Sequence, residues 1–192
     1  MPFFHQLEHL NRDLKLWRMN IRMSRQIRRQ DELSEDGLIY RPGRAEDLKQ
    51  IDELHIRVFR QPMVGWIRFV YRFRAPQLIG VVTDGDGQLV GYDAFMFNEV
   101  EYRERIIHEQ YVAVAPAYQG KGISTKLRRY SIASYDDGFL TGVSTLAQEH
   151  DIKALRSAQK SGYAITKMSA KPKAYYLFIP LRARFSNSPA DL

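Results

Sequence analysis

The sequence has no cysteine among its 192 residues. This excludes disulfide bonds, thiolate metal sites and cysteine nucleophiles, and it is typical of the reducing cytoplasm, where we expect the protein to act. Long apolar runs are also missing. The longest are short, such as Ile79–Val82, whereas a membrane helix needs roughly 18 apolar residues. The N-terminal residues lack the basic start and apolar stretch of a signal peptide, so we expect none.

The positive charge is concentrated in one segment. Residues 1–30 contain seven Lys and Arg and two Asp and Glu, out of 29 basic and 22 acidic residues in the chain, whose net charge is +7. The remaining residues are nearly balanced, so we expect no nucleic-acid-binding surface. The five histidines form no recognisable ligand pattern, and we predict no metal site.

Residues 1–30 are predicted to form a basic amphipathic helix. Large apolar residues recur there at helical spacing: Leu7, Leu10, Leu14, Trp17 and Ile21. The stripe is expected to pack on the rest of the chain or on a second copy in a homodimer. The alternatives are docking on an anionic membrane surface or on an acidic carrier protein. Residues 31–37 are polar and end in glycine, which predicts a linker.

Residues 38–184 are predicted to form one α/β domain, followed by a C-terminal tail at 185–192. Its hairpins come first and its strand–helix–strand units later, which favours a mixed, mostly antiparallel central sheet with helices on both faces. The predicted strands are 38–41, 79–83, 89–97, one within 102–114, 139–144, 163–168 and 175–180. The predicted helices are 45–59, 63–73, 121–135 and 152–160.

A glycine-containing loop carries the clearest functional signal. An apolar strand passes through Pro116 into Gln119, Gly120 and Gly122, and a helix follows. Glycines let the backbone approach a ligand closely. The first amides of a helix have no internal acceptors, and together with the helix dipole they suit an anion such as a pyrophosphate. A simple tight turn is the alternative.

This loop resembles the acyl-coenzyme A loop of the GNAT N-acetyltransferases, Gln/Arg-x-x-Gly-x-Gly/Ala. The segment from Asp151 to Tyr163 also resembles that family's second signature, a helix ending in Lys-x-Gly-Phe/Tyr. The resemblance implies that two central strands splay apart and that the pantetheine arm pairs with backbone near Val112 and Val114. It also implies a pyrophosphate site on the loop, formed by Gln119, Gly120, Lys121, Gly122, Ile123 and Ser124.

The resemblance implies an acyltransferase that moves an acetyl group from acetyl-CoA, its co-substrate, to a primary amine of a small molecule. An amino sugar or a related metabolite is one such acceptor. Two alternatives stay open. One is a long-chain N-acyltransferase that uses acyl-CoA or an acyl carrier protein. The other is a non-catalytic coenzyme A-binding regulatory module.

The sequence departs from the family at three positions. Ser124 stands where the family usually has Gly or Ala, and Asp151 where it has Asn. The tyrosine that often protonates the leaving thiolate corresponds to Ala158, so this general acid cannot be assigned here. Thiols have a pKa near 8.5, so the thiolate leaves at neutral pH without much help.

Glu109 and His108 are the candidate general bases, because an alkyl ammonium must lose a proton to attack the thioester. Glu109 lies ten residues before Gln119, the spacing of a catalytic Glu in histone-type members of the family. Pairing with a nearby Arg is the alternative. His108 lies on the opposite face of a regular strand. Further candidates for the acceptor side are Ser144, Thr145, His150 and the aromatic helix at 63–73.

Overall fold

A twisted eight-stranded sheet organises the protein, as shown by a computed structural model. The structure describes residues 2–28, 31–170 and 173–182, with side chains from residue 11 onward. The strands are β1 (Leu33–Glu35), β2 (Leu38–Pro42), β3 (Ile79–Thr83), β4 (Leu89–Met96), β5 (Ile106–Val114), β6 (Gly142–Gln148), β7 (Ala164–Ala170) and β8 (Lys173–Pro180). The predicted tail at 185–192 lies outside the described residues.

The strands follow the order β1-β2-β3-β4-β5-β6-β8-β7. Within the described residues every neighbouring pair is antiparallel except β5 and β6. Parallel neighbours need a crossover connection, which is supplied here by the helix between β5 and β6. The predicted mixed, mostly antiparallel sheet is therefore confirmed.

Five helices accompany the sheet: α1 (Pro2–Ser24), α2 (Leu48–Phe59), α3 (Gly65–Leu78), α4 (Ile123–Tyr135) and α5 (Ile152–Lys160). Successive residues of a strand face opposite sides of a sheet. In β4, the Tyr92 hydroxyl lies 2.5 Å from Nδ1 of His55 in α2, whereas Asp93 lies beside Arg128 and Ser131 of α4. Helices thus cover both faces, as predicted. None of the helices in the described residues combines the length and apolar character that crossing a bilayer requires.

Residues 31–37 are not a free linker, and that prediction is wrong. They form β1 and a two-residue turn into β2, with Glu35 paired to Leu38. Asp36 and Gly37 both have positive φ, 52° and 72°. Such a pair suits the tight hairpin turns that match strand twist. The Lys126 ammonium of α4 anchors this turn through the carboxylates of Glu35 (2.8 Å) and Asp36 (2.7 Å).

The helix α1 ends at Ser24, earlier than predicted. Among its described side chains the buried ones are Leu16, Asn20 and Ser24, whereas Leu14 of the predicted stripe is 42% exposed. Trp17 packs beside Phe69 of α3, with ring centroids 5.9 Å apart. The side chains of the other two N-terminal stripe residues, Leu7 and Leu10, lie outside the described ones. The face of α1 that is described therefore packs on the chain's own core.

The side chain of Asn20 connects α1 to the end of β4 through hydrogen bonds. Its Nδ2 donates to the carbonyl of Phe97 (3.0 Å), and its Oδ1 accepts from the amide of Phe97 (2.8 Å). Both Asn20 and Phe97 are fully buried. The side-chain amide of Asn20 therefore makes the two backbone hydrogen bonds with Phe97 that a neighbouring strand would otherwise make.

We predict that Asn20→Leu lowers the free energy of unfolding by about 2–4 kcal/mol, because two buried backbone groups lose their partners. Urea denaturation measures the change. The matched control is Arg18→Leu, an exposed position on the same helix, where we expect a change within about 0.5 kcal/mol. Equal stability of the two variants would show that Asn20 does not hold the helix.

Candidate active site

The strands β5 and β6 diverge halfway along their length. Their parallel pairing runs from Ile106 with Gly142 to Glu109 with Thr145. Beyond that point β5 continues to Val114 without a β6 partner in the described residues. A bulge lies at the same place: Ala94 of β4 pairs with Tyr111 and the next β4 residue pairs with Glu109. One edge of β5 is therefore open to a ligand over its second half.

The loop after β5 presents backbone amides at the mouth of this opening. Gly120 and Gly122 have φ of 79° and 77°, and Gly122 caps α4. A Cβ built on either glycine meets nothing within 4 Å, so the space beside them is free. The amides of Ile123 and Ser124 begin α4 and have no intrahelical acceptors. This is the geometry of an anion site at a helix N-terminus.

A cleft of about 270 Å³ joins the loop to the open edge of β5. Seven of the eight predicted cofactor residues line it, and Lys121 does not: the seven are Val112, Val114, Gln119, Gly120, Gly122, Ile123 and Ser124. The helix α5 closes the far side with Ala154 and Ser157, whose Oγ lies 2.9 Å from Oγ of Ser124. Lys153 adds a positive charge to the lining.

Glu109 lies in a buried ion pair at the point where the strands diverge. Its carboxylate accepts hydrogen bonds from Nη2 (2.7 Å) and Nε (2.9 Å) of Arg128 in α4. Thr145 and Tyr163 donate to it as well, each at 3.2 Å. Only 3% of Glu109 is exposed. This geometry favours the structural alternative for Glu109, pairing with an arginine.

His108 faces the opposite side of the sheet and belongs to a different cluster. Its Nδ1 lies 2.7 Å from Oγ of Ser144 and 3.4 Å from Oε2 of Glu101. The hydroxyl of Tyr176 donates to the same carboxylate. Burial alone would raise the pKa of Glu101, but hydrogen bonds from His108, Tyr176 and Ser144 lower it to about 2. The Glu101 carboxylate is therefore ionised at neutral pH and able to stabilise a positive charge on His108.

A second cavity, of about 540 Å³, opens on the His108 face. Its walls come from α1, the loop 98–101 after β4, and strands β5 to β8. Glu101, His108, Gln110 and Tyr176 are among the polar lining groups. His108 and Glu109 are neighbours in β5, so this cavity and the cleft flank the same stretch of strand from opposite faces.

The other predicted acceptor-side residues have different surroundings. Ser144 is hydrogen-bonded to His108, and Thr145 donates a hydrogen bond to Glu109. His150 is exposed. The helix predicted at 63–73 is α3, which does not line the second cavity in the described residues. Its Phe69 instead lines a separate groove on the outer surface.

Three site residues were missed from the sequence: Glu101, Tyr176 and Arg128. Glu101 and Tyr176 lie 75 residues apart and meet only through the sheet order. A further buried carboxyl, Asp93, lies beside Arg128. Burial raises the pKa of Asp93 well above its usual range, and the charge of Glu109 raises it further. No short-range pattern marks any of these positions.

Comparisons with known proteins agree with this geometry. Solved structures with the same fold include a putative acetyltransferase, yncA of Salmonella typhimurium, with acetyl-CoA (17% identity, TM-score 0.66, 80% of this chain and 99% of that one). Ard1 of Thermoplasma volcanium (17%, 0.63, 76% and 99%) and spermidine N-acetyltransferase of Vibrio cholerae (19%, 0.60, 76% and 95%) are also similar. The sequence matches none of the curated proteins.

At these identities the solved structures establish the fold. The sequence itself supplies the second indication, because residues 76–165 match the acetyltransferase (GNAT) domain family. This range contains the diverging strands, the glycine loop and the helix that closes the cleft. Residues 76–165 therefore resemble a GNAT acetyltransferase domain in sequence, and the chain shares the fold of solved acetyltransferases.

Proposed function

We propose that the protein transfers the acetyl group of acetyl-CoA to a primary amine of a small molecule. The observation that supports this most directly is the pair of cavities on either side of β5. One ends in an amide-lined loop suited to a pyrophosphate, and the other contains a histidine held by an ionised carboxylate. Both lie along β5, and in this proposal the thioester and the amine approach each other through the gap where β5 and β6 diverge.

Acetyl-CoA would enter through the glycine loop. Its pyrophosphate would accept hydrogen bonds from the amides around Gly122 and Ser124, and its pantetheine arm would pair with the free edge of β5 near Val112 and Val114. The similar yncA structure holds acetyl-CoA, which supports this assignment. The arm would act as an added strand in the gap between β5 and β6.

The acceptor would bind in the second cavity, with His108 as general base. A primary ammonium has a pKa of about 10 and must lose a proton before its nitrogen can attack. With Nδ1 held by Ser144 and Glu101, the other ring nitrogen of His108 would take that proton. The Glu101 carboxylate would then stabilise the imidazolium. Glu109, the other candidate base, is already bound to Arg128.

A screen of amines identifies the acceptor class. Purified protein is incubated with acetyl-CoA and single amines, including spermidine, amino sugars and amino acids, and the released thiol is measured. We expect turnover with one chemical class. The same assay with long-chain acyl-CoA tests the first alternative, and binding of coenzyme A without turnover of any amine would support the regulatory module.

The glycine loop can be tested by substitution. Gly122→Val should weaken acetyl-CoA binding at least about tenfold, since the side chain fills the space beside the amides and strains their positions. Gly87→Val is the matched control, because Gly87 has the same φ of 77°, has equally open surroundings and lies in the β3–β4 turn. Calorimetry should show normal affinity in the control. Equal affinity in both variants would place the coenzyme elsewhere.

A further prediction separates the two candidate bases. His108→Gln should lower kcat by about 10²–10⁴ at pH 7 with little change in acetyl-CoA affinity. The loss should shrink at high pH, where the amine is already neutral. His150→Gln, at an exposed histidine, is the control for histidine loss. If Glu109→Gln shows this pH-dependent loss and His108→Gln does not, the base is Glu109.

A further inference from the structure

The solvent-facing sides of α1 and α3 carry large apolar side chains. Phe69 and Phe73 of α3 are 49% and 55% exposed, although phenylalanine is usually buried. Their rings pack edge to face with centroids 5.0 Å apart, and Phe69 also packs beside Trp17 of α1. Leu14, one helical turn before Trp17, lies on the same side of α1 and is exposed as well. An apolar ridge therefore crosses both helices.

Positive charge flanks this ridge. The sequence of α3 contains no acidic residue, and among the described side chains of α1 the single acidic one is Asp13. Arg68 of α3 lies 2.5 Å from the carboxylate of Asp52. Arg18 and Arg72 adjoin the ridge, and neither forms an ion pair within the described part of the chain. The exposed basic residues of α1 from residue 11 onward are Arg12, Lys15, Arg18 and Arg22.

A groove of about 550 Å³ opens beside the ridge, and its charge is mostly positive. Lys49, Arg68 and Arg72 line it together with Phe69, and Glu46 is the one acidic residue among the described lining groups. Guanidinium groups bind phosphate oxygens through two parallel hydrogen bonds. The groove therefore offers space and three cations to a phosphate-bearing headgroup next to exposed aromatic rings.

We propose that this α1–α3 surface, the apolar ridge with its flanking arginines and the groove, binds a bilayer that contains anionic phospholipids. Aromatic rings and arginine side chains are suited to the headgroup level, because one end of each is apolar and the other polar. The helix α1 extends to Pro2, and the stripe of the sequence continues through Leu10 and Leu7. Such a helix lies along the interface and does not span the bilayer. The bilayer contact is independent of the proposed acetyl transfer.

A second copy of the chain fits the surface less well than a bilayer does. In a two-fold dimer the same patch meets itself, so the arginines of one α3 would face those of the other. Like charges at close range repel each other, and α3 has no acidic residue to compensate. A bilayer satisfies both features, because its acyl boundary receives the rings and its phosphates pair with the guanidinium groups.

Flotation with lipid vesicles tests the proposal on the full chain. We expect the wild type to float with vesicles of phosphatidylcholine and phosphatidylglycerol, not with phosphatidylcholine alone, and to dissociate as the salt concentration rises. Phe69→Ser/Phe73→Ser should lower the partition coefficient at least about tenfold, because two rings no longer leave water. The matched control is Ile165→Ser/Met168→Ser, an exposed apolar pair of β7, where we expect no change.

Charge variants distinguish this surface from the general basic character of the chain. Arg18→Gln/Arg72→Gln should weaken binding to the anionic vesicles about 10–30-fold, since each cation near the lipid contributes about fivefold. The control Arg129→Gln/Arg156→Gln removes the same charge from exposed positions of α4 and α5. Its effect should stay below about twofold, because charges far from the lipid are screened. Equal losses in the two pairs would show attraction by net charge alone and overturn the proposal.

A single introduced thiol reports which part of the chain enters the interface, because the chain has no cysteine. Phe73→Cys, labelled with an environment-sensitive dye, should gain emission on anionic vesicles. Labelled Met168→Cys, at an exposed position of β7, should not. Unchanged emission at position 73, or an equal gain at both positions, overturns the proposal. This measurement and the charge variants decide the question if Phe69→Ser/Phe73→Ser does not fold, which urea denaturation checks.

Other occupants of the surface give different results. A dimer in light scattering that Phe69→Ser/Phe73→Ser dissociates, without flotation of the wild type, identifies a second copy. Calorimetric binding of a purified acidic acyl carrier protein, again without flotation, identifies that partner. Either result overturns the lipid proposal and leaves acetyl transfer untouched. Conversely, flotation that depends on the α1–α3 surface supports the proposal even if no amine is acetylated.

Discussion

The end of the β5–β6 ladder at Glu109 and Thr145 determines where this sheet has an open strand edge and the cleft beside it. Before that point the backbone groups of the two strands satisfy each other, and after it the strands separate and leave an open edge. The buried Arg128–Glu109 pair lies at this junction and links α4 to β5. Buried ion pairs bring little net stability, because desolvation offsets the attraction. Their geometry is nevertheless specific, and here two hydrogen bonds to one carboxylate fix α4 against β5 where the strands diverge.

Successive side chains of β5 point to opposite faces of the sheet, so the candidate site residues are divided between these two faces. His108 and Glu109 are neighbours, so their side chains lie on opposite sides of the sheet. On one side the buried Glu109 carboxylate is hydrogen-bonded by Arg128, Thr145 and Tyr163, which suits the role of orienting Arg128. On the His108 side, a cavity exposes the histidine cluster to a ligand. A base needs access to its substrate as well as an appropriate pKa. His108 lines a cavity, whereas Glu109 is buried. Access therefore favours His108 as the base, although the spacing in the sequence favoured Glu109.

Most of the fold could be predicted because its signals are local. The β3 strand at 79–83 and the α5 helix at 152–160 have the predicted bounds, and the glycine loop lies between a strand and a helix, in the order that the sequence predicts. The hairpin at 31–37 was missed although Asp36-Gly37 is a strong turn signal, because the three-residue β1 is too short to show alternation. Here a lysine of α4, distant in sequence, stabilises the turn.

The residues that could not be predicted depend on distant partners. Asn20 occupies a position between two apolar residues of α1, and nothing in its helix shows that it binds Phe97, 77 residues away. Glu101, Arg128 and Tyr176 likewise acquire their roles only when the sheet assembles. Such polar groups are stable in the interior only if every partner is in place. Asp93 and Arg128 show how such groups come together from distant parts of the chain, because β4 and α4 bring a buried carboxyl and a buried guanidinium side by side although they lie 35 residues apart in the sequence.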